Sequence, residues 1–186
     1  MPKPSAVQLL RLDCRDRRKG DKVEKEYMTW EEYGVASREL AIMVADSGYH
    51  PDIILGIARG GLAPAGSLGY ALSVKNIYIM NVEYYTGEDK RMEVPVVLPP
   101  YLEFVNLEDK KILIADDIAD TGETLKMVRD FCAGQVGDVR TAVIYEKDRS
   151  VVKCDYVWGR TNAWVEFPWS VDEPVLSQKP REVAHA

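Results

Sequence analysis

The sequence contains few of the residues that usually build metal centres or nucleophilic sites. Among its 186 residues are two histidines and three cysteines. His50 lies in a turn-like stretch and His185 lies near the C-terminus, so we expect no histidine-based catalytic triad or metal site. Cys14, Cys132 and Cys154 are widely spaced and form no CxxC pair, which argues against a zinc ribbon and a disulfide framework.

Positive charge and long apolar runs are scarce as well. The formal net charge is −6, and the one basic cluster lies between Arg15 and Lys19 in a polar N-terminal segment, so a basic nucleic-acid-binding surface is not expected. No apolar run approaches the roughly 20 residues of a membrane span, and residues 1–20 lack the apolar core of a secretory signal. We expect a cytoplasmic protein that binds neither nucleic acid nor membrane.

The composition predicts one globular domain. The hydrophobic fraction of 46% and the charged fraction of 29% are ordinary, and the length is sufficient for one core. We expect an N-terminal extension over residues 1–26, a domain over residues 27–170 and a C-terminal tail over residues 171–186. No internal repeat is visible.

Alternating elements predict an α/β fold with a mainly parallel sheet flanked by helices. Thr29 and Glu32 form a capping box at the start of a helix that Gly48 can end, and residues 83–101 read as a long loop. Short apolar runs mark the strands. The predicted strands are residues 52–58, 76–82, 111–115, 139–145 and 155–159. In such sheets, ligands lie at the carboxyl ends of the strands.

The stretch KILIADDIADTGET, residues 111–124, ends a predicted strand with acids and a glycine turn. A helix N-terminus binds phosphate through its unpaired amides, and Gly122 allows the tight curl that this requires. Thr121 and Thr124 add hydroxyl donors. Asp116 and Asp117 can accept hydrogen bonds from sugar hydroxyls or bind Mg²⁺. The alternative is a helix cap with solvated acids beside it.

Two further strand ends and one aromatic segment carry polar or flat side chains. Arg59-Gly60-Gly61 suits a phosphate, because arginine binds it in a bidentate manner, although a tight turn with a surface arginine is the alternative. Lys147 can only donate, which suits a 6-oxo group, and its alternative is an exposed surface lysine. Trp164 can stack on a heterocycle, or it can be a core residue.

The motif ILIADDIADTGET resembles the phosphoribosyl pyrophosphate signature of the type I phosphoribosyltransferases. WVEFPW, residues 164–169, is similar to a C-terminal segment of the bacterial xanthine-guanine members of that family. The resemblance spans roughly residues 27–170. It implies the fold of that family, with a small C-terminal hood near residues 145–170. The family's proline-glycine turn after Lys147 is replaced here by Asp148-Arg149-Ser150.

The resemblance implies a role for each matched residue. Ribose hydroxyls and Mg²⁺ would meet Asp116 and Asp117, and Glu166 would help to position metal or water. Asp120 would be the general base near purine N7. The other implied contacts are the 5-phosphate on Asp120, Thr121, Gly122, Glu123 and Thr124, the pyrophosphate on Ala58, Arg59, Gly60 and Gly61, the base on Lys147, Trp164 and Val165, and a lid at Tyr84 and Tyr85.

The resemblance implies a purine-salvage enzyme that transfers 5-phosphoribosyl from phosphoribosyl pyrophosphate to guanine, xanthine or hypoxanthine and releases pyrophosphate. It also implies a homodimer or a homotetramer. Two alternatives stay open: transfer to another base, and a nucleotide-sensing regulator that keeps the fold without turnover. A regulator of that kind is expected to carry a basic surface, which this acidic chain does not suggest.

Overall fold

The computed structural model describes residues 24–83, 96–98 and 107–174. The strands are β1 (Lys25–Tyr27), β2 (Ile53–Ala58), β3 (Ile77–Glu83), β4 (Val96–Leu98), β5 (Lys111–Ala119), β6 (Asp138–Glu146), β7 (Tyr156–Arg160) and β8 (Trp164–Glu166). The helices are α1 (Trp30–Asp46), α2 (Leu62–Ala71) and α3 (Glu123–Ala133). No helix among these described residues is long and apolar enough to cross a membrane.

The capping box places the start of α1. The amide of Thr29 donates to the Glu32 carboxylate at 2.8 Å, and the amide of Glu32 donates to the Thr29 hydroxyl at 3.1 Å. Two amides that have no partner within the helix are satisfied in this way, and α1 begins at Trp30 as predicted. Beyond its end, Gly48 has φ +73°, which a glycine adopts without steric cost.

The described residues between 34 and 162 form one compact unit around a six-stranded sheet. The strand order is β4-β3-β2-β5-β6-β7, and every neighbouring pair is parallel except β3 and β4. The predicted mainly parallel sheet is therefore confirmed. Because parallel strands end at the same edge, the segments that follow β2, β5 and β6 lie close together there.

Helices cover both faces of this sheet. On one face, Leu125, Val128 and Cys132 of α3 join a buried cluster with aliphatic residues of the strands, such as Leu55 and Ile114. On the other face, α2 packs so closely that a Cβ added at Gly69 would clash with Ile77. Strands buried on both sides read as continuous aliphatic runs, which is the pattern of IILGIA in β2.

Two predicted boundaries were wrong. The third predicted strand was expected to end at residue 115, but β5 continues to Ala119 because its backbone stays paired with β6, with Asp116 opposite Val143 and Ala119 opposite Glu146. Asp116 and Asp117 therefore lie within the strand. In addition, residues 96–98 of the predicted long loop form β4, which pairs antiparallel with the edge of the sheet.

The described residues 24–33 and 163–174 belong to a second compact unit. Here β1 pairs parallel with β8, with Lys25 opposite Trp164. An aromatic cluster supports this small sheet, with Trp169 stacked on Phe167 at 5.0 Å and edge-on to Tyr33 at 5.1 Å between ring centroids. Neither strand was predicted, because each contains three residues and shows no period of its own.

Candidate active site

The loop after β2 meets the end of β5. A Cβ built on Gly60 would lie 2.5 Å from the Asp117 carboxylate, so this carboxylate rests directly on the Gly60 backbone. A Cβ on Gly61 would lie 2.6 Å from the backbone nitrogen of Ile57. A side chain at Gly61 would therefore clash with fixed backbone atoms, whereas a side chain at Gly60 would displace the Asp117 carboxylate. The structure brings together two segments that the sequence linked to different parts of one ligand.

The Arg59-Gly60-Gly61 turn is tight and leads directly into α2. The amide of Gly61 donates to the carbonyl of Ile57 at 2.7 Å, and the amide of Leu62 donates to the carbonyl of Arg59 at 3.1 Å. The peptide bond between Ala58 and Arg59 is cis. The Arg59 side chain is exposed, so a charged guanidinium stands at the carboxyl end of β2.

The two adjacent acids of β5 repel each other. Burial and the neighbouring charge of Asp117 raise the pKa of Asp116 well above its ordinary value, although the Asp117 amide donates to its Oδ1 at 2.9 Å. Residues 24–83 and 107–174 contain no group of three or more histidine, cysteine, aspartate or glutamate side chains that could hold a metal ion. A carboxylate pair alone still suits Mg²⁺, because this ion takes one or two carboxylates together with phosphates and waters.

The turn from β5 into α3 has the form of an anion-binding loop. Gly122 is the N-cap of the 11-residue helix and has φ +75°. A Cβ there would also clash with the Ser150 hydroxyl and lie 3.1 Å from the amide of Val152. The Thr121 hydroxyl is 3.4 Å from the amide of Glu123, which donates to it. Amides at the start of a helix attract anions, and the phosphate site at this turn stays a prediction.

A cluster of opposite charges links this turn to the segment after β6. Lys147 Nζ lies 3.3 Å from Asp120 Oδ1, and Arg149 Nε donates to the same oxygen at 2.7 Å. The Lys147 side chain is only 7% exposed, so its interpretation as a surface lysine is wrong. Burial would raise the pKa of Asp120, but hydrogen bonds from Arg149 and Lys147 outweigh it and hold that pKa below its ordinary value.

Sequence reasoning assigned no role to two members of this region, although it placed Glu146, together with Lys147, at a candidate strand end. Arg149 was noted only as part of a departure from a familiar turn, yet it contacts Asp120 twice. Glu146 is 1% exposed and accepts hydrogen bonds from the Cys154 amide at 2.7 Å and from Arg160 at 3.3 Å. The signal in the sequence for both residues was the charged run YEKDRS, residues 145–150, at the end of an aliphatic strand.

The aromatic segment, residues 164–169, belongs to the second compact unit. Trp164 is 52% exposed, so its interpretation as a core residue is wrong, whereas Val165 is buried. The Glu166 carboxylate accepts a hydrogen bond from Lys25 at 2.9 Å, and this bond raises the pKa of Lys25. The predicted lid residues, Tyr84 and Tyr85, lie outside the described residues.

Comparisons with known proteins agree with this geometry. A family model described as "Phosphoribosyl transferase domain" matches residues 24–175. The chain is 26% identical over 160 residues to a xanthine-guanine phosphoribosyltransferase of Idiomarina loihiensis, covering 82% of this chain and 94% of that relative. It is 30% identical over 144 residues to the Gluconobacter oxydans protein of the same name, covering 76% and 82%. A purine phosphoribosyltransferase structure from Pyrococcus horikoshii superposes with a TM-score of 0.70 at 33% identity, covering 84% and 99%.

Proposed function

Because the chain belongs to the phosphoribosyltransferase family, we propose that it transfers the 5-phosphoribosyl group of phosphoribosyl pyrophosphate to a 6-oxopurine. The N9 lone pair of the purine attacks C1 of the ribose, the bond from C1 to pyrophosphate breaks, and the N7 proton leaves. The purine relatives at 26–33% identity support the substrate class. In the cell, the reaction would be cytoplasmic purine salvage.

The sugar phosphate is proposed to lie across the carboxyl ends of β2 and β5. Asp116 and Asp117 accept hydrogen bonds from the ribose hydroxyls, and residues 120–124 hold the 5-phosphate. The loop from Ala58 to Gly61 holds the pyrophosphate. The contact between the Asp117 carboxylate and the Gly60 backbone supports this arrangement, because the segments proposed to bind the sugar and the pyrophosphate touch each other.

Mg²⁺ is the proposed cofactor, and the residues of the site fit it. Asp116 and Asp117 supply hard oxygen ligands, and the raised pKa of Asp116 marks a place where a cation would relieve repulsion. When bound, Mg²⁺ would neutralise charge on the departing pyrophosphate. Glu166 is proposed to position metal or water, which requires that it first release Lys25.

One observation carries the choice of a 6-oxopurine: an ammonium and a carboxylate lie 3.3 Å apart where the base is expected. O6 and N7 are neighbours on one edge of the purine ring. Lys147 donates to O6, while Asp120 accepts the N7 proton as the general base. An adenine would place its amino donor against the ammonium donor of Lys147, which favours guanine, xanthine or hypoxanthine.

Two residues of the C-terminal segment complete the proposal for the base. The exposed indole of Trp164 is proposed to stack on the purine, and the backbone of Val165 to hydrogen-bond to its Watson–Crick side. Closure of a lid at Tyr84 and Tyr85 would exclude water, which otherwise hydrolyses the activated sugar. The assembly is proposed to be a homodimer or a homotetramer.

The test is consumption of phosphoribosyl pyrophosphate with Mg²⁺ and each base supplied separately. We expect nucleotide formation with at least one 6-oxopurine and a much lower kcat/KM with adenine. Asp120→Asn removes the proposed base, and we expect turnover to fall by about 10²-fold or more with folding unchanged. Turnover with a pyrimidine alone would favour another base, and tight binding of the sugar without turnover would favour a regulator.

A further inference from the structure

Three donors converge on one oxygen of Asp120. Lys147 Nζ, Arg149 Nε and Arg149 Nη2 all contact Oδ1. Within the described residues these contacts all go to Oδ1, so Oδ2 is the oxygen that a ligand can use. The neighbouring charges on β5 and at the start of α3 are acidic, namely Asp116, Asp117 and Glu123, whereas both cations come from the turn after β6.

The turn that carries Arg149 is hydrogen-bonded to the loop that leads into α3, the proposed 5-phosphate site. The amide of Val151 donates to the carbonyl of Thr121 at 2.8 Å, and the amide of Lys147 donates to the carbonyl of Ala119 at 3.0 Å. Next to these hydrogen bonds, Gly122 lies so close to Ser150 that a side chain would not fit between them. The turn and the loop therefore form one packed body, and Arg149 is presented to Asp120 by a supported backbone.

Another acid in the turn, Asp148, bonds to Asn162. The amide of Asp148 donates to Asn162 Oδ1 at 3.2 Å, and Asn162 Nδ2 donates to Asp148 Oδ2 at 2.7 Å. With Asp148 held by Asn162, Arg149 and Lys147 are both directed to Asp120. Arg149 is 61% exposed, and an exposed ion pair contributes little to the free energy of unfolding. The contact of Arg149 with Asp120 therefore points to a role other than stability.

We propose that Arg149 is a positioning residue for purine transfer, which holds the Asp120 carboxylate by Oδ1 and thereby presents Oδ2 to the N7 proton. This inference rests on the proposed function. Lys147 alone supplies a point charge on a flexible stem, whereas Arg149 adds two donors from one rigid planar group, and both hold Oδ1 in place. The guanidinium also favours the ionised form of Asp120, which is the form that accepts a proton.

The experiment compares pH profiles of kcat/KM for the wild type, Arg149→Ala, Arg149→Gln and Arg149→Lys. Loss of the guanidinium raises the pKa of Asp120, so the acidic limb of the profile should move toward neutral pH in the Ala and Gln variants. We expect the plateau to fall about tenfold, because a small misplacement of a reacting group costs this much or more. Arg149→Lys, which keeps the charge, should restore the limb but not the full plateau.

Arg160→Ala is the matched control. Arg160 is also an exposed arginine, 66% by side chain, that pairs with a carboxylate, in this case Glu146. Its profile should match the wild type, and melting temperatures should stay within a few degrees for all variants. An unchanged limb and plateau in both Arg149→Ala and Arg149→Gln, with an active wild type, overturns this inference alone. A wild type that is inactive with every purine overturns the proposed function and this inference together.

Discussion

The glycines in the turn after β2 and in α2 give the sharpest prediction, because Gly60, Gly61 and Gly66 differ in what an added methyl group meets. In Gly60→Ala, the new Cβ would lie 2.5 Å from the Asp117 carboxylate, against 3.4 Å for the start of ordinary contact. The backbone of Gly60 is not left-handed, since the glycines with positive φ in the described residues are Gly48 and Gly122. The substitution therefore displaces Asp117 by roughly 1 Å and leaves the turn intact.

The displacement of Asp117 determines how much activity is lost. Misplacing a positioning group by about 1 Å costs on the order of 10²-fold in rate. We expect kcat/KM for phosphoribosyl pyrophosphate to fall about 100-fold in Gly60→Ala. The carboxylate lies at the end of a side chain that can rotate, so the loss of unfolding free energy should be about 1 kcal/mol or less. Steady-state kinetics and thermal unfolding measure the two effects separately.

Two neighbouring glycines serve as matched controls. A Cβ at Gly61 would meet backbone atoms of Ile57 and Ala115, which cannot rotate away, so Gly61→Ala should destabilise the protein by about 1–3 kcal/mol. A Cβ at Gly66 in α2 meets nothing within 4 Å, and Gly66→Ala should stabilise by about 0.5–1 kcal/mol with normal kinetics. Wild-type kcat/KM in Gly60→Ala would refute the placement of Asp117 at the sugar.

Two further substitutions test the electrostatics of the site. The raised pKa of Asp116 means that its ionisation opposes folding, so stability is lost as the pH rises above the ordinary value of 3.8. Asp116→Asn should melt a few degrees higher than the wild type at pH 7, with little difference near pH 4; equal melting temperatures at pH 7 would contradict the argument. Lys147→Met removes the nearly buried partner of Asp120 and should cost about 1–2 kcal/mol in chemical denaturation, together with most of the activity. A stable and active Lys147→Met would show that this ion pair is incidental.

Local patterns predicted the parts of the fold that have a local cause. The start of α1 follows from Thr29 and Glu32, three residues apart, whose side chains can only satisfy each other's amides at a helix start. The central strands follow from aliphatic runs such as IILGIA, which must be buried on both faces. The sequence also predicts that Gly60 and Asp117 lie near each other, because both follow or end parallel strands that finish at one edge of the sheet.

The parts that sequence reasoning missed depend on pairing between distant segments. The extension of β5 through Asp116 to Ala119 is imposed by its register with β6, although aspartate is a poor strand former. The pairing of β1 with β8 joins residues more than 130 positions apart. Arg149 was missed because an exposed arginine in a polar turn carries no signal until the turn is packed against Asp120.

A crystal structure with Mg²⁺ and phosphoribosyl pyrophosphate tests the central claim most directly. We expect the 5-phosphate against the amides of residues 121–124 and both ribose hydroxyls on Asp116 and Asp117. We also expect the pyrophosphate on the turn from Arg59 to Gly61. Well-defined density for the ligand elsewhere, with the loop before α3 empty, would contradict the claim.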